Sequence, residues 1–216
     1  MLRYFLFFLA FISLSSGMTL YTSPKPPFSY KIYGNFANFF ESEEDLLTFF
    51  EFKKGDVVAE IGALNGENIA GIAILCDSLT LYAQDINKKT LNQRSFNKVI
   101  KHCKKYKTPV TCKFNWCIGT EKASLLPDTA FDKIILSATF HEFYYMDEMI
   151  ADIAKKLKKN GRLYILESHC GGEGHKNYTA EETSEILKKY NYSLVKRDGK
   201  DLNGSKGLYR LIFVKN

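Results

Sequence analysis

Gly55-Asp56-Val57-Val58-Ala59-Glu60-Ile61-Gly62-Ala63-Leu64-Asn65-Gly66 is the stretch that decides how this chain folds. Val57, Val58 and Ile61 form the β-branched apolar run of a buried strand. Gly62 and Gly66 bracket a tight turn, where a missing Cβ frees φ and lets a ligand approach the backbone. From Glu67 to Cys76 the chain is apolar enough to pack as a helix. The helix start would aim free N–H groups at whatever lies over the turn. Glu60, at the end of the strand, adds an acceptor beside it. A nucleotide-like ligand is expected here.

Strands and helices alternate outward from this unit. Ser42 with Asp45 has capping-box spacing, and Leu46, Leu47, Phe49 and Phe50 give the helix that follows an apolar face. Gly55 is expected to end that helix. Leu79 to Gln84 reads as a second strand, with Asp85 at its end. Asn87 to Lys107 reads as a long basic helix, and Pro109 to Ile118 and Phe131 to Ser137 as strands. Met146 to Lys159 is a helix that Asn160-Gly161 should close as a left-handed cap. Arg162 to Glu167 is a strand, and Thr179 to Tyr190 a helix opened by a Thr179/Glu182 capping box. Tyr192 to Arg197 and Leu208 to Lys215 have no helix between them, so they should pair as an antiparallel hairpin at an edge. The reading is an α/β fold: seven strands, mostly parallel, with helices on both faces.

The bulk composition agrees. The chain has 216 residues and 45% hydrophobic content, enough for one α/β domain with a full core. The net charge of +6 sits largely in Lys88, Lys89, Arg94, Lys98, Lys101, Lys104, Lys105 and Lys107. That cluster reads as the solvated face of one helix. Aromatic residues do not alternate with it, which argues against nucleic acid. The five cysteines are irregularly spaced and contain no CxxC pair, so core packing is expected and no metal site is assigned.

The N-terminus stands apart. Met1-Leu2-Arg3, an apolar run from Tyr4 to Leu14, and Ser15-Ser16-Gly17 form a secretory signal pattern over residues 1–17. The apolar run is shorter than the roughly 20 residues of a spanning helix, and an uncleaved membrane anchor is the alternative. The pattern implies a secreted, periplasmic or membrane-tethered protein. Pro24, Pro26 and Pro27 make residues 18–35 an extended connector, leaving 36–216 as the catalytic-type domain. Tyr30, Tyr33 and Phe36 either fold over the site or pack on the flank, and flank packing is the expectation.

In such a sheet the ligand sits at the carboxyl ends of the strands. Asp85 lies 19 residues beyond Gly66, where a carboxylate can accept from ribose hydroxyls or simply cap the next helix. The glycine turn upstream favours ribose. The turn spacing is not G-x-G-x-x-G, and Glu60 before it would repel a pyrophosphate. A cationic, phosphate-free nucleoside would be accepted.

These motifs resemble the class I S-adenosylmethionine-dependent methyltransferases. The resemblance rests on Glu60-Ile61-Gly62-Ala63-Leu64-Asn65-Gly66, on Asp85, on the segments Leu126 to Asp132 and Leu157 to Leu163, and on the terminal hairpin. Leu64 stands where that family often has glycine. The resemblance implies a Rossmann-like fold and S-adenosylmethionine as cofactor. It implies that Gly62, Ala63, Leu64, Asn65 and Gly66 line its amino-acid portion, with Asp85 on the ribose and Ile86 beside the adenine. Gly119 and Thr120 would flank the adenine, and Ser137 would contact the region of the sulfonium. His141 and Glu142 follow the fourth strand, where an acceptor would arrive. His141 is either a general base or a pocket-shaping residue with a backbone hydrogen bond.

The reaction implied is methyl transfer to a small molecule or a protein side chain. A non-catalytic exported binding module of the same fold is the alternative, and a nicotinamide-dependent oxidoreductase is disfavoured by the turn spacing. His169, Cys170, Glu173 and His175 read as polar loop residues rather than metal ligands. Nothing in the chain specifies an oligomeric state.

Overall fold

The computed structural model describes residues 28–168, 176–198 and 207–216. The expected signal segment, most of the connector, the His169–His175 cluster and the turn before the last strand lie outside the described residues. Among the described residues, no helix is long and apolar enough to cross a membrane.

Three short helices come first: α1 (Tyr30–Tyr33), α2 (Phe36–Phe39) and α3 (Glu43–Phe50). Then follow β1 (Val57–Ile61), α4 (Glu67–Leu75), β2 (Thr80–Asp85), α5 (Gln93–Tyr106), β3 (Lys113–Ile118) and β4 (Phe131–Ser137). The chain ends with α6 (Met146–Lys156), β5 (Leu157–Ser168), α7 (Ala180–Lys188), β6 (Tyr192–Asp198) and β7 (Leu208–Lys215). The strands form one seven-stranded sheet in the order β3-β2-β1-β4-β5-β7-β6. β7 runs antiparallel to both β5 and β6, while the pairings among β1 to β5 are parallel. This is the expected Rossmann-like sheet with its antiparallel terminal pair.

Alternation along the central strands feeds two cores, one on each face of the sheet. Val58 of β1 and Tyr164 and Leu166 of β5 join the core under α1 to α5. Ala59, Ile61, Leu163 and Ile165 join the core under α6 and α7. On the first face an aromatic cluster fixes the N-terminal helices to the sheet. Phe36 packs on Phe50 at 5.3 Å and Phe49 on Tyr164 at 5.8 Å between ring centroids, and the Tyr164 hydroxyl donates to Phe50 O at 3.1 Å. Each such buried ring contributes roughly 1.5–3 kcal/mol through removal from water. Within the expected connector 18–35, residues 30–33 are therefore helical rather than extended. Tyr33 is wholly buried and its hydroxyl bonds Glu43.

Several element ends differ from expectation for identifiable reasons. α3 stops at Phe50 because Glu51 takes the left-handed conformation, before Gly55 is reached. α5 starts at Gln93 because Asn92 and Ser95 form a capping box. β3 starts after Pro109, which has no N–H to give a ladder. α6 ends at Lys156 and runs directly into β5, so Asn160-Gly161 is not a left-handed cap. Gly161 is needed for a different reason: a Cβ there would lie 2.7 Å from Phe131 O, in the irregular β4–β5 pairing. The four described cysteines are free. Burial pushes the Cys76 and Cys103 thiols up to about 12, as core residues.

Candidate functional site

The turn after β1 is built as its glycines require. Gly62 and Gly66 have φ of 76° and 89°, and Leu64 between them also adopts a left-handed φ of 48°. A Cβ on Gly62 would collide with the methyl and hydroxyl of Thr139, so the turn is pressed against the segment after β4. The Gly62 and Ala63 N–H groups both donate to Gln84 O at 2.9 Å, tying the turn to the end of β2.

Asp85 completes this arrangement. One carboxylate oxygen accepts from Leu64 N at 2.7 Å and the other from Asn87 N at 2.8 Å. Asp85 therefore braces the strained turn and caps the loop after β2 at the same time. Each carboxylate oxygen retains a further lone-pair site.

Over the turn lies a cavity of about 650 Å³. That size falls within the roughly 300–1,000 Å³ typical of small-ligand sites. Gly62, Leu64, Asp85, Ile86, Ser137 and Glu142 all line it. Ala63 and Asn65 line a smaller adjoining recess with Gly62 and Leu64. Gly66 instead serves as the left-handed start of α4, close to Phe96. Gly119 and Thr120 are not on the wall; Glu121 is. Gly119 is enclosed by Gln84, Ala123 and Ser124, where a Cβ has no room.

Glu60 also differs from expectation, because it lies beneath the turn and not on the cavity wall. It is 1% exposed, and its Oε1 accepts from Asn68 Nδ2 at 2.5 Å. Asn68 Oδ1 in turn accepts from Phe36 N at 3.2 Å. Burial pushes the Glu60 carboxyl up to about 8, against the opposing effect of the Asn68 hydrogen bond. A carboxyl held neutral does not repel a phosphate, so Glu60 does not select against a pyrophosphate as expected. The turn spacing still disfavours a dinucleotide.

His141 and Glu142 sit on a 3-10 turn (Phe140–Glu142) directly after β4. Buried Glu167, near the end of β5, organises this turn. Its Oε1 accepts from Phe140 N at 2.7 Å, and its Oε2 contacts His141 Nδ1 at 2.8 Å. His141 Nε2 lies 3.0 Å from Glu142 Oε1. The Glu167 hydrogen bond is the main reason that the His141 pKa is raised. His141 is thus clamped between two carboxylates and is not itself on the cavity wall. Of the pair, Glu142 is the one that meets the cavity.

Asn35, Gln84 and Met149 line the wall without a site role in the sequence reading, whereas Phe143 and Tyr144 belong to the His141–Tyr144 stretch that resembles a His-aromatic patch of one methyltransferase subgroup. Tyr30 is expected on the flank with Tyr33 and Phe36; those two are buried in the core, but Tyr30 lines the cavity. The α1–α2 helices deliver Tyr30 and Asn35 there from a segment read mostly as connector. Among the described residues no group of His, Cys, Asp and Glu could hold a metal ion.

A family model described as a methyltransferase domain matches residues 59–165, the span from β1 to β5 that builds this cavity. The chain belongs to the class I S-adenosylmethionine-dependent methyltransferases. No curated protein matches the sequence. Among solved structures, this methyltransferase is similar to a SAM-dependent methyltransferase from Aquifex aeolicus. The two share 18% identity and a TM-score of 0.64, over 88% of this chain and 93% of that one. It is also similar to a Haemonchus contortus phosphoethanolamine N-methyltransferase 2, at 12% identity and TM-score 0.60, over 79% of this chain and 51% of that one. The cyclase SpnF has a similar fold at 13% identity and TM-score 0.60, over 82% and 86% of the two chains.

The methyltransferase cavity suits S-adenosylmethionine, the family's cofactor, on its own geometry. Two buried side-chain atoms of residues on its wall, at the ends of β2 and β4, have no hydrogen-bond partner: Gln84 Nε2 and Ser137 Oγ. Unpaired buried polar groups of this kind are costly and mark a place where a polar ligand adds contacts.

Proposed function

We propose that this methyltransferase moves the methyl group of S-adenosylmethionine to a small molecule or a protein side chain by in-line displacement. The observation that carries the reading is the cavity over the Gly62–Gly66 turn, with Asp85 and Glu142 lining it from the ends of strands on either side of β1. In this reading Asp85 keeps its two backbone bonds and accepts ribose hydroxyls with its remaining lone pairs. Half-exposed Ile86 packs against the adenine. The Gly62 turn receives the amino-acid portion, and Ser137 contacts the cofactor near its sulfur.

Bound S-adenosylmethionine supplies a methyl group already activated by positive sulfur. The chain's own contribution is alignment, exclusion of water and management of the acceptor's proton. Calorimetric titration of the full chain with S-adenosylmethionine tests the reading. Saturable binding is expected, and no binding at millimolar cofactor would refute it.

Leu64 supports a second reading, a non-catalytic binding module. Its side chain is 58% exposed and lines the cavity at a position where a glycine would leave more room. If the natural chain fails to bind cofactor and Leu64→Gly alone creates binding, this second reading stands. For location, the pattern over residues 1–17 supports export or tethering. Cell fractionation with N-terminal sequencing checks it, and a cytosolic protein with Met1 intact would refute it.

A further inference from the structure

The cavity wall carries side chains that the cofactor reading does not use. Glu121, from the loop after β3, and Glu142, after β4, bring two carboxylates to the wall. Phe143, Tyr144 and Tyr30 add aromatic surface, and Tyr144 is 76% exposed. Among the described residues the wall carries no lysine or arginine. Carboxylates combined with aromatic faces favour a positively charged group, through ion pairing and cation–π attraction, and disfavour a carboxylate or phosphate.

Glu142 is also held for a purpose. Glu167 is 2% exposed, and a buried carboxylate is retained only when paired. Here the pairing runs from Glu167 through His141 to the carboxylate on the wall, with distances of 2.8 and 3.0 Å. We infer that the methyl acceptor is a cationic amine, that Glu142 binds it and takes its proton, and that Glu167 positions Glu142 through His141. The inference rests on the methyl-transfer reading above. An ammonium N–H proton passes to the Glu142 carboxylate. The freed nitrogen lone pair then forms a bond to the methyl carbon. The methyl–sulfur bond breaks with its electron pair going to sulfur, leaving a thioether and a methylated ammonium.

The test uses the full chain preloaded with S-adenosylhomocysteine. Two matched sets are titrated by calorimetry: phenethylamine, 2-phenylethanol and 3-phenylpropanoate; then butylamine, butanol and pentanoate. The amine of at least one set should bind about tenfold tighter than its neutral and anionic counterparts, as one charge-assisted contact would give. Glu142→Gln should remove that preference while S-adenosylhomocysteine affinity stays unchanged. Glu167→Gln should weaken it severalfold and move the His141 NMR titration midpoint downward. Cofactor-product binding without amine preference in either set overturns the acceptor assignment. An unmoved His141 midpoint overturns the positioning role of Glu167. Failure to bind S-adenosylhomocysteine at all counts instead against the methyl-transfer reading.

Discussion

The N–H of Leu64 donates to the carboxylate of Asp85 at 2.7 Å, so the residue that departs from the family's glycine pattern is held by the residue expected to bind ribose. A non-glycine residue at φ 48° carries a conformational cost of roughly 1–2 kcal/mol. A charge-assisted hydrogen bond of about 1.5–3 kcal/mol offsets it. The turn therefore keeps its shape without a glycine at position 64.

Asp85→Ala should remove this brace together with the bond from Asn87. We expect a stability loss of about 1–3 kcal/mol in denaturant unfolding, because two backbone N–H groups lose a buried acceptor. Cofactor affinity should fall by at least about tenfold in calorimetry. Loss of stability with unchanged affinity would leave Asp85 as a turn brace alone.

Gly62→Ala should destabilise by roughly 2–4 kcal/mol, from the left-handed φ and the collision with Thr139 together. Adding Thr139→Gly should recover the steric part and leave the conformational part. A double-mutant cycle measures the split. Simple additivity of the two substitutions would contradict the packing of the turn on the segment after β4.

Much of this was legible in the sequence because two periodicities and five ordered motifs agree. The strand–turn–helix at Val57 to Leu75, the capping box at Thr179 and the terminal antiparallel pair are local patterns, and local patterns survive folding. What escaped was tertiary. Tyr30 and Asn35 reach the cavity only because Phe36, Phe49 and Phe50 dock their helices on the sheet. Nothing local in a proline-rich segment announces that. Glu167 was visible only as the end of a strand. Its partnership with His141 spans 26 residues and depends on β4 lying beside β5. The exclusion of Gly119 and Thr120 from the wall likewise follows from Gly119 being enclosed beside Gln84.

The Glu60 carboxyl has a folded-state pKa of about 8 against an ordinary 4.5. A raised carboxyl pKa favours folding at low pH, and that advantage is lost as pH rises from about 4.5 towards 8. Glu60→Gln should flatten this decline in unfolding experiments at pH 5, 7 and 9. A cationic cofactor should restore the carboxylate and release a proton on binding. Calorimetry in two buffers of different ionisation heat detects that release, and its absence in wild type would contradict the link.

His141 has the opposite chemistry and the same direction of shift. Its folded pKa is raised above 6.5, so its contacts with Glu167 and Glu142 stabilise fully below pH 6.5 and are lost as pH rises through the raised value. His141→Gln should cost on the order of 1 kcal/mol at pH 6, after screening of a partly exposed group, and less at pH 9. A cost that grows with pH would rule out the protonated clamp.

A crystal structure of the chain with S-adenosylhomocysteine tests the reading of the cavity most directly. The ligand should lie over the Gly62–Gly66 turn, with its ribose hydroxyls on Asp85, its adenine against Ile86, and its sulfur facing the space bounded by Tyr30 and Glu142. A ligand bound elsewhere, or a ribose that does not meet Asp85, would contradict it.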